Sequence, residues 1–474
     1  MESKGNGQLH VFFFPFMAQG HIRPTINLAK LFASKGSKAT IITTSYFTSF
    51  LSKSIEKAKE SGAQIDILDI RVPTEEVGLP DGINSVHLTS TEDMQEKFFK
   101  ACGKLGPQLH QILEQHRPDC LVANMFFPWA PDVAAKFGIP TLIFHGTSYF
   151  ALCAQSSIFL HAPHKKVLSD SEPFFIPNFP DPIEITRDKI ADYVKHEDGS
   201  HFSKLFKSIR EAELKTYGIL VNSVYELEPA YADHYPKLLG GKAWHVGPLF
   251  LYGQYCNSEE HTCLKWLDTK RPNSVLYVSF GSIASFNDEQ LMEIATGLEA
   301  SGQQFIWVVK KEKKEEWLPE GFEERMEGKG LIIEGWAPQI PILEHKATGG
   351  FVTHCGWNST LESICAGVPM VTWPVSAEQF YNEKLICDIL RIGFEAGAKK
   401  WKVLVGDFVK REAIERAVTR IMEGDEAAEM RSRVKELADK AKSAIKEGGS
   451  SVLDLNALFD DLRSARIDNG SSST

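Results

Sequence analysis

The segment from Trp336 to Gln379 concentrates side chains suited to holding an anionic ligand. It contains Thr353-His354-Cys355-Gly356-Trp357-Asn358-Ser359-Thr360-Leu361-Glu362. An apolar run ends at Thr353, and Gly356 permits a sharp turn. A helix is expected to begin near Trp357–Ser359 and to end before Gly367. A helix start presents unpaired N–H groups and a partial positive charge, worth about 0.3–1 kcal/mol and up to about 2 kcal/mol when partly buried. With the side chains of His354, Asn358 and Ser359 around it, such a start can seat a diphosphate. Singly, these residues have plainer explanations. Ser359 with Glu362, and Ser376 with Gln379, have the spacing of capping boxes, and a lone histidine or tryptophan is ordinarily core. Their joint occurrence in 44 residues is what points to a ligand. A second centre is His21, just after the first apolar run. An imidazole whose ordinary pKa is about 6.5 is a natural general base, although a histidine in such a loop is also an ordinary surface residue.

The elements that must position these groups alternate between strand and helix. Val11–Phe14, Thr40–Thr43, Ile65–Ile70, Cys120–Ala123 and Leu142–Phe144 read as strands. Helical stretches separate them; the first is expected to open at Pro24, a residue suited to a first helical turn. The pattern restarts with Val275–Phe280, Phe305–Val309, Leu331–Ile333, Phe351–Thr353 and Met370–Trp373. Such alternation implies parallel, doubly wound sheets. We divide the chain into a first domain over 1–246, a linker over 247–262, a second domain over 263–455, and a helix end with a disordered tail over 456–474, the tail proper from Asp468. Two α/β halves leave a cleft lined by the carboxyl ends of both sets of strands.

Composition narrows the function. The 474 residues carry 62 acids against 52 bases, a formal charge of −10, which disfavours nucleic acid and anionic membrane surfaces as partners. Apolar residues at 43% and charged residues at 24% are globular values. Val11–Ala18 is read as a buried strand rather than a signal segment, and no apolar run is long enough to span a membrane. Eight cysteines without a C-x-x-C pair suit a reducing compartment, the cytoplasm. Gly-x-Gly-x-x-Gly and the P-loop pattern are absent, which weakens a dehydrogenase or a P-loop kinase. No Asp-x-Asp triplet supplies a metal site.

Trp336 to Gln379 resembles, over its whole length, the signature box of plant family 1 UDP-sugar-dependent glycosyltransferases. Phe14-Pro15 through Gly20-His21, Tyr277-Val-Ser-Phe-Gly-Ser282 and His245-Val-Gly-Pro248 extend the resemblance to nearly the full chain. It is nearest to the group acting on flavonoids and triterpenoids. The resemblance implies the two-domain GT-B fold, a UDP-sugar as donor co-substrate, no prosthetic group, no metal, and a monomer. It implies that Trp336 stacks on uracil and that Ala337 meets the base through its backbone. Gln339 and Glu362 would hold the ribose hydroxyls. His354, Asn358, Ser359 and Ser282 would hold the diphosphate. Trp357, Glu378 and Gln379 would face the sugar, glutamine at 379 favouring glucose. Glu378 stands where the family commonly has aspartate.

The resemblance makes His21 the catalytic base, and the family usually pairs this histidine with an aspartate. Here the matching position in Leu121-Val-Ala-Asn124 is an amide. Asn124 can accept a hydrogen bond from the ring, or it can turn its NH₂ to the ring and favour the wrong tautomer. The alternative to an active transferase is therefore a UDP-sugar-binding protein with weak or lost transfer. Asp119 and Asp132 are near in sequence as substitute carboxylates. For the acceptor, Phe126, Phe127 and Trp129 form an aromatic cluster, and Thr147 and Ser148 lie at a strand-to-helix turn. Together they suit a flat lipophilic molecule.

Overall fold

The structure is a computed structural model; it describes residues 8–196, 199–253, 261–310 and 317–471. Part of the expected linker, residues 254–260, lies outside the described residues. The first domain holds β1 (His10–Phe14), β2 (Lys38–Thr43), β3 (Ile65–Asp69), β4 (Cys120–Asn124) and β5 (Thr141–His145). A small antiparallel hairpin, β6 (Pro173–Phe175) with β7 (Glu184–Thr186), follows, and β8 (Gly218–Val221) and β9 (Ala243–His245) complete the sheet. Its order is β3-β2-β1-β4-β5-β8-β9, with every neighbour parallel. The central strands are buried on both faces, which is why Val11–Phe14 and Cys120–Ala123 are unbroken apolar runs.

The second domain repeats the plan with β10 (Val275–Ser279), β11 (Gln304–Val309), β12 (Gly330–Glu334), β13 (Thr348–Thr353), β14 (Met370–Thr372) and β15 (Gly393–Glu395). The order is β12-β11-β10-β13-β14-β15, again all parallel. This is the expected GT-B architecture, two doubly wound α/β domains. In each sheet the strand order reverses beside the first strand, between β1 and β4 and between β10 and β13. A crevice opens at the carboxyl ends of strands at such a switch point.

Two expectations shift. The first helix begins at Gln19, not at Pro24; Ala18 is its extended N-cap and Pro24 lies inside it. His21 therefore stands in the first helical turn rather than in a loop before it. The chain end is also different. The helix Ser450–Ser471 continues through residues 468–471, where a tail was expected. It packs Leu455, Leu458, Phe459 and Leu462 into the same apolar cluster as Val11, Leu28 and Phe32 of the first domain. Their spacing buries one helical face, so the last helix crosses back onto the first sheet. Among the described residues, no helix is long and apolar enough to cross a membrane.

Candidate active site

The switch point of the first sheet brings His21 and Asn124 together. β1 and β4 are adjacent, so the helix after β1 and the last residue of β4 meet at one edge. Asn124 Nδ2 lies 3.0 Å from His21 Nδ1. The backbone N–H of Phe126 donates to Asn124 Oδ1 at 3.2 Å. That bond sets which way the amide faces: its oxygen is taken, and its NH₂ meets the ring. Nδ1 must then accept, so a neutral His21 carries its proton on Nε2. Burial pushes the His21 pKa down to about 4, with His145 and His87 adding repulsion. The ring is neutral at pH 7. Asp119 is not a substitute carboxylate: it accepts from the His10 N–H at 2.8 Å and lies 3.3 Å from Arg466.

The second switch point places Ser282, just after β10, beside the turn that follows β13. His354 lies between two glycines. A Cβ added at Gly281 would come within 2.5 Å of its ring, and one at Gly356 would also collide with it. Gly281 also has φ of +72°. Both glycines are thus needed for the close approach of backbone to imidazole. Burial and then Lys310 push His354 down to about 4. The helix Trp357–Ala366 begins after Gly356 and has no side-chain cap, so Ser359 and Glu362 do not form a capping box. Instead Gln339 Nε2 donates to Ser359 Oγ at 2.9 Å and to Glu362 Oε2 at 2.6 Å. Burial raises Glu362 to about 7, opposed by Gln339 and by Arg23. Hydroxyls donated by a ligand would favour its charged form again. Trp336 is 63% exposed while Ala337 beside it is buried. A free indole face is what base stacking requires.

The two halves are joined through these same residues. Pro24 has no N–H, so the Gly20 carbonyl loses its helical partner. Asn358 Nδ2, from the second domain, donates to that oxygen at 2.8 Å. Trp357 does not present its side chain as expected: the indole is buried, and its N–H donates to the Asn222 carbonyl at 2.7 Å. Gln379 Oε1 accepts from the N–H groups of Val375 and Ser376, at 2.8 and 2.9 Å, which leaves its NH₂ to donate elsewhere. Burial raises the Glu378 carboxyl above its ordinary range; Asn382, Thr147 and the Trp357 N–H oppose this. Thr147, from the first domain, lies near Glu378, and its hydroxyl has no hydrogen-bond partner among the described residues.

Three cross-domain groups escaped sequence reasoning. His87 Nε2 lies 3.1 Å from Ser282 Oγ. Lys310 stands near both His87 and His354, and burial pushes it down to about 8. Arg23 faces Glu362. Arg23 follows His21 by two positions, but nothing in its spacing shows that it meets the other domain. Among the described residues, no group of three or more His, Cys, Asp or Glu is placed to hold a metal ion.

Of the expected acceptor residues, only Phe126 stays beside the base, 5.4 Å between ring centroids. Phe127 is buried and stacks on Phe14 at 4.1 Å, and Trp129 packs edge-on to Phe14. Phe127 belongs to the first-domain core, and Trp129, half-buried, packs against it. Ser148 is buried; it caps the next helix through the Ala151 N–H and donates to Asn382 Oδ1 at 2.9 Å. The open space instead begins at Met125 and runs between the helices Tyr149–His161 and His201–Glu213, with Ala377 and Tyr381 from the second domain closing it. Its apolar residues have helical spacing and read from sequence as ordinary core.

A family model described as UDP-glucoronosyl and UDP-glucosyl transferase matches residues 188–390. The chain is 55% identical to UDP-glucose flavonoid 3-O-glucosyltransferase 7 of Fragaria ananassa, covering 98% of each chain. It is 49% identical to scopoletin glucosyltransferase of Nicotiana tabacum, covering 96% of this chain and 98% of that one. Among solved structures it is similar to Glycyrrhiza uralensis UGT73P12 complexed with glycyrrhetinic acid 3-O-monoglucuronide, with TM-score 0.91, 39% identity and 98% of each chain covered. It is also similar to Medicago truncatula UGT71G1 complexed with UDP-glucose, with TM-score 0.79, 29% identity, and 96% and 98% covered.

Proposed function

Because the chain belongs to the family of UDP-glucoronosyl and UDP-glucosyl transferases, and is a UDP-sugar-dependent glycosyltransferase, we propose that it transfers glucose from UDP-glucose to a hydroxyl of a lipophilic plant phenol, with inversion and without a metal. One observation carries this reading. Asn358 of the donor segment donates to the carbonyl of Gly20, the residue before His21. The helix N-terminus suited to a diphosphate and the imidazole suited to a proton thus share one contact. In the proposed step the Asn124 amide turns its oxygen to the ring, the ring proton moves to Nδ1, and His21 Nε2 then takes the acceptor proton while the oxygen attacks the anomeric carbon. The bond to the diphosphate breaks on the opposite side. UDP is held by His354, Ser359, Ser282 and the uncapped N–H groups, with Lys310 and Arg23 as nearby positive charge. Trp336 takes the uracil, and Gln339 with Glu362 takes the ribose. Glu378, Thr147 and the Gln379 NH₂ take the sugar. The names of relatives acting on a flavonoid and on scopoletin support phenolic acceptors and glucose.

The amide orientation at Asn124 favours a second reading, a UDP-sugar binder with slow transfer. In the resting arrangement Nε2 carries the proton and cannot act as base. Turning the amide over leaves the Phe126 N–H without its acceptor, which costs about 1–3 kcal/mol. Transfer is therefore slowed rather than abolished, and acidic phenols suffer least. The test is mass spectrometry of products from a mixed phenol and alcohol library supplied with UDP-glucose, UDP-galactose, UDP-xylose and UDP-glucuronate. Hexosylated phenols formed with UDP-glucose support the proposal. Donor binding with only traces of product, confined to the most acidic phenols, supports the second reading.

A further inference from the structure

The cavity between the helices Tyr149–His161 and His201–Glu213 is walled mostly by apolar side chains, yet one stretch of its wall is charged. Glu213 and His145 line it, and both are buried. His145 Nε2 lies 2.9 Å from Glu213 Oε1. The contact is off the hydrogen-bonding direction, so neither ring nitrogen is satisfied among the described residues. Arg210 donates to Glu213 Oε2 at 2.9 Å. Tyr235, fully buried in the same wall, has a hydroxyl with no partner among the described residues. Burying a carboxylate in such a wall is costly unless its lone pairs are used. Arg210 uses one of the roughly four available to Glu213. Unmet bonding capacity at three neighbouring groups is a site for a polar atom of something that enters the cavity.

We propose that Glu213, steadied by Arg210 and flanked by His145 and Tyr235, binds a second hydroxyl of the acceptor, one that is not glucosylated. The ligand's O–H donates to Glu213, and its oxygen accepts from the Tyr235 hydroxyl. The acceptor class this selects is a flat aromatic with at least two hydroxyls, in preference to a monohydroxylated compound of equal size. This rests on the transferase reading above and deepens it. Position supports it: β5, which ends at His145, lies next to β4, which ends at Asn124, so this wall adjoins the reacting end of the cavity.

The test compares 2-naphthol with the dihydroxynaphthalenes as acceptors, with UDP-glucose as donor. The readout is the ratio of their kcat/KM values in the native protein, in Glu213→Gln and in Tyr235→Phe. The native protein is expected to prefer at least one dihydroxynaphthalene by about tenfold or more, chiefly through KM, since a site built to bond a hydroxyl rejects the analogue lacking it. In Glu213→Gln the ratio falls to about the statistical factor of two for two equivalent hydroxyls. In Tyr235→Phe, which removes one oxygen atom, it falls part of the way. A purely structural role would lower both acceptors together and leave the ratio alone. An unchanged ratio in both variants overturns the proposal. Should Glu213→Gln not fold, Tyr235→Phe decides: a reduced ratio supports the proposal, and an unchanged one overturns it. Absence of UDP release by the native protein with every naphthol and with every member of the mixed phenol and alcohol library would count against the transferase reading instead.

Discussion

Replacing Asn124 with aspartate tests the chemistry of the base with almost no change in shape. The new carboxylate can keep the Phe126 N–H on one oxygen and offer the other to His21 Nδ1. The ring then carries its proton on Nδ1, leaving the Nε2 lone pair free. The opposite charge, at the 3.0 Å separation now held by the amide, raises the His21 pKa by about 1–3 units, each worth about 1.4 kcal/mol. The same stabilisation reaches the imidazolium formed during transfer. Aliphatic alcohols, which need the base most, should gain about 10- to 10³-fold in kcat. Phenols, with pKa near 10, should gain less than about tenfold. The pH profile gives an independent check. A base must be unprotonated, so activity is lost as pH falls through its pKa. With His21 at about 4, kcat/KM in the native protein should hold until pH falls towards 4. In Asn124→Asp the acid limb should move up to about pH 5–7. Initial rates of UDP release over pH 4–9, with one phenol and one alkyl alcohol, measure both effects. An equal gain for the two acceptor classes, with an unmoved acid limb, would refute the reasoning.

Three further outcomes separate binding from packing. Trp336→Ala should weaken UDP about 5- to 150-fold by calorimetry, from a lost stack of about 1–3 kcal/mol, while the melting temperature holds because the ring is exposed. Gly356→Ala, at an unstrained φ of −60°, pushes a methyl onto the His354 ring. Donor kcat/KM should drop about tenfold or more from the misplaced ring, with far-UV circular dichroism unchanged. Phe127→Ala should cost about 3–5 kcal/mol in urea unfolding, as a core stack does, and leave acceptor KM within about twofold.

Strand runs and the restart of the pattern near Val275 were readable because buried parallel strands are continuously apolar and short. The donor segment was readable because a single turn and helix, Thr353 to Ala366, carry most of it, so sequence proximity stands in for spatial proximity. What escaped was set by tertiary contacts. Pro24 looked like a helix start because proline lacks an N–H. The carbonyl it frees is instead met by Asn358, more than three hundred residues away in sequence. Phe127 and Trp129 looked like acceptor contacts because they follow Asn124. The turn after β4 sends them inward onto Phe14 and leaves only Phe126 beside His21. Glu213 and Tyr235 sit on amphipathic helices, where nothing local marks which face meets a cavity. The final helix, Ser450–Ser471, had a legible period but no sign of which domain it would cover.

The most direct test of the account is product formation by His21→Ala, followed by mass spectrometry with UDP-glucose and a phenolic acceptor, alongside calorimetry with UDP. The account predicts a fall in transfer of about 10²–10⁴-fold with UDP affinity retained. Transfer within a few-fold of the native protein would contradict it.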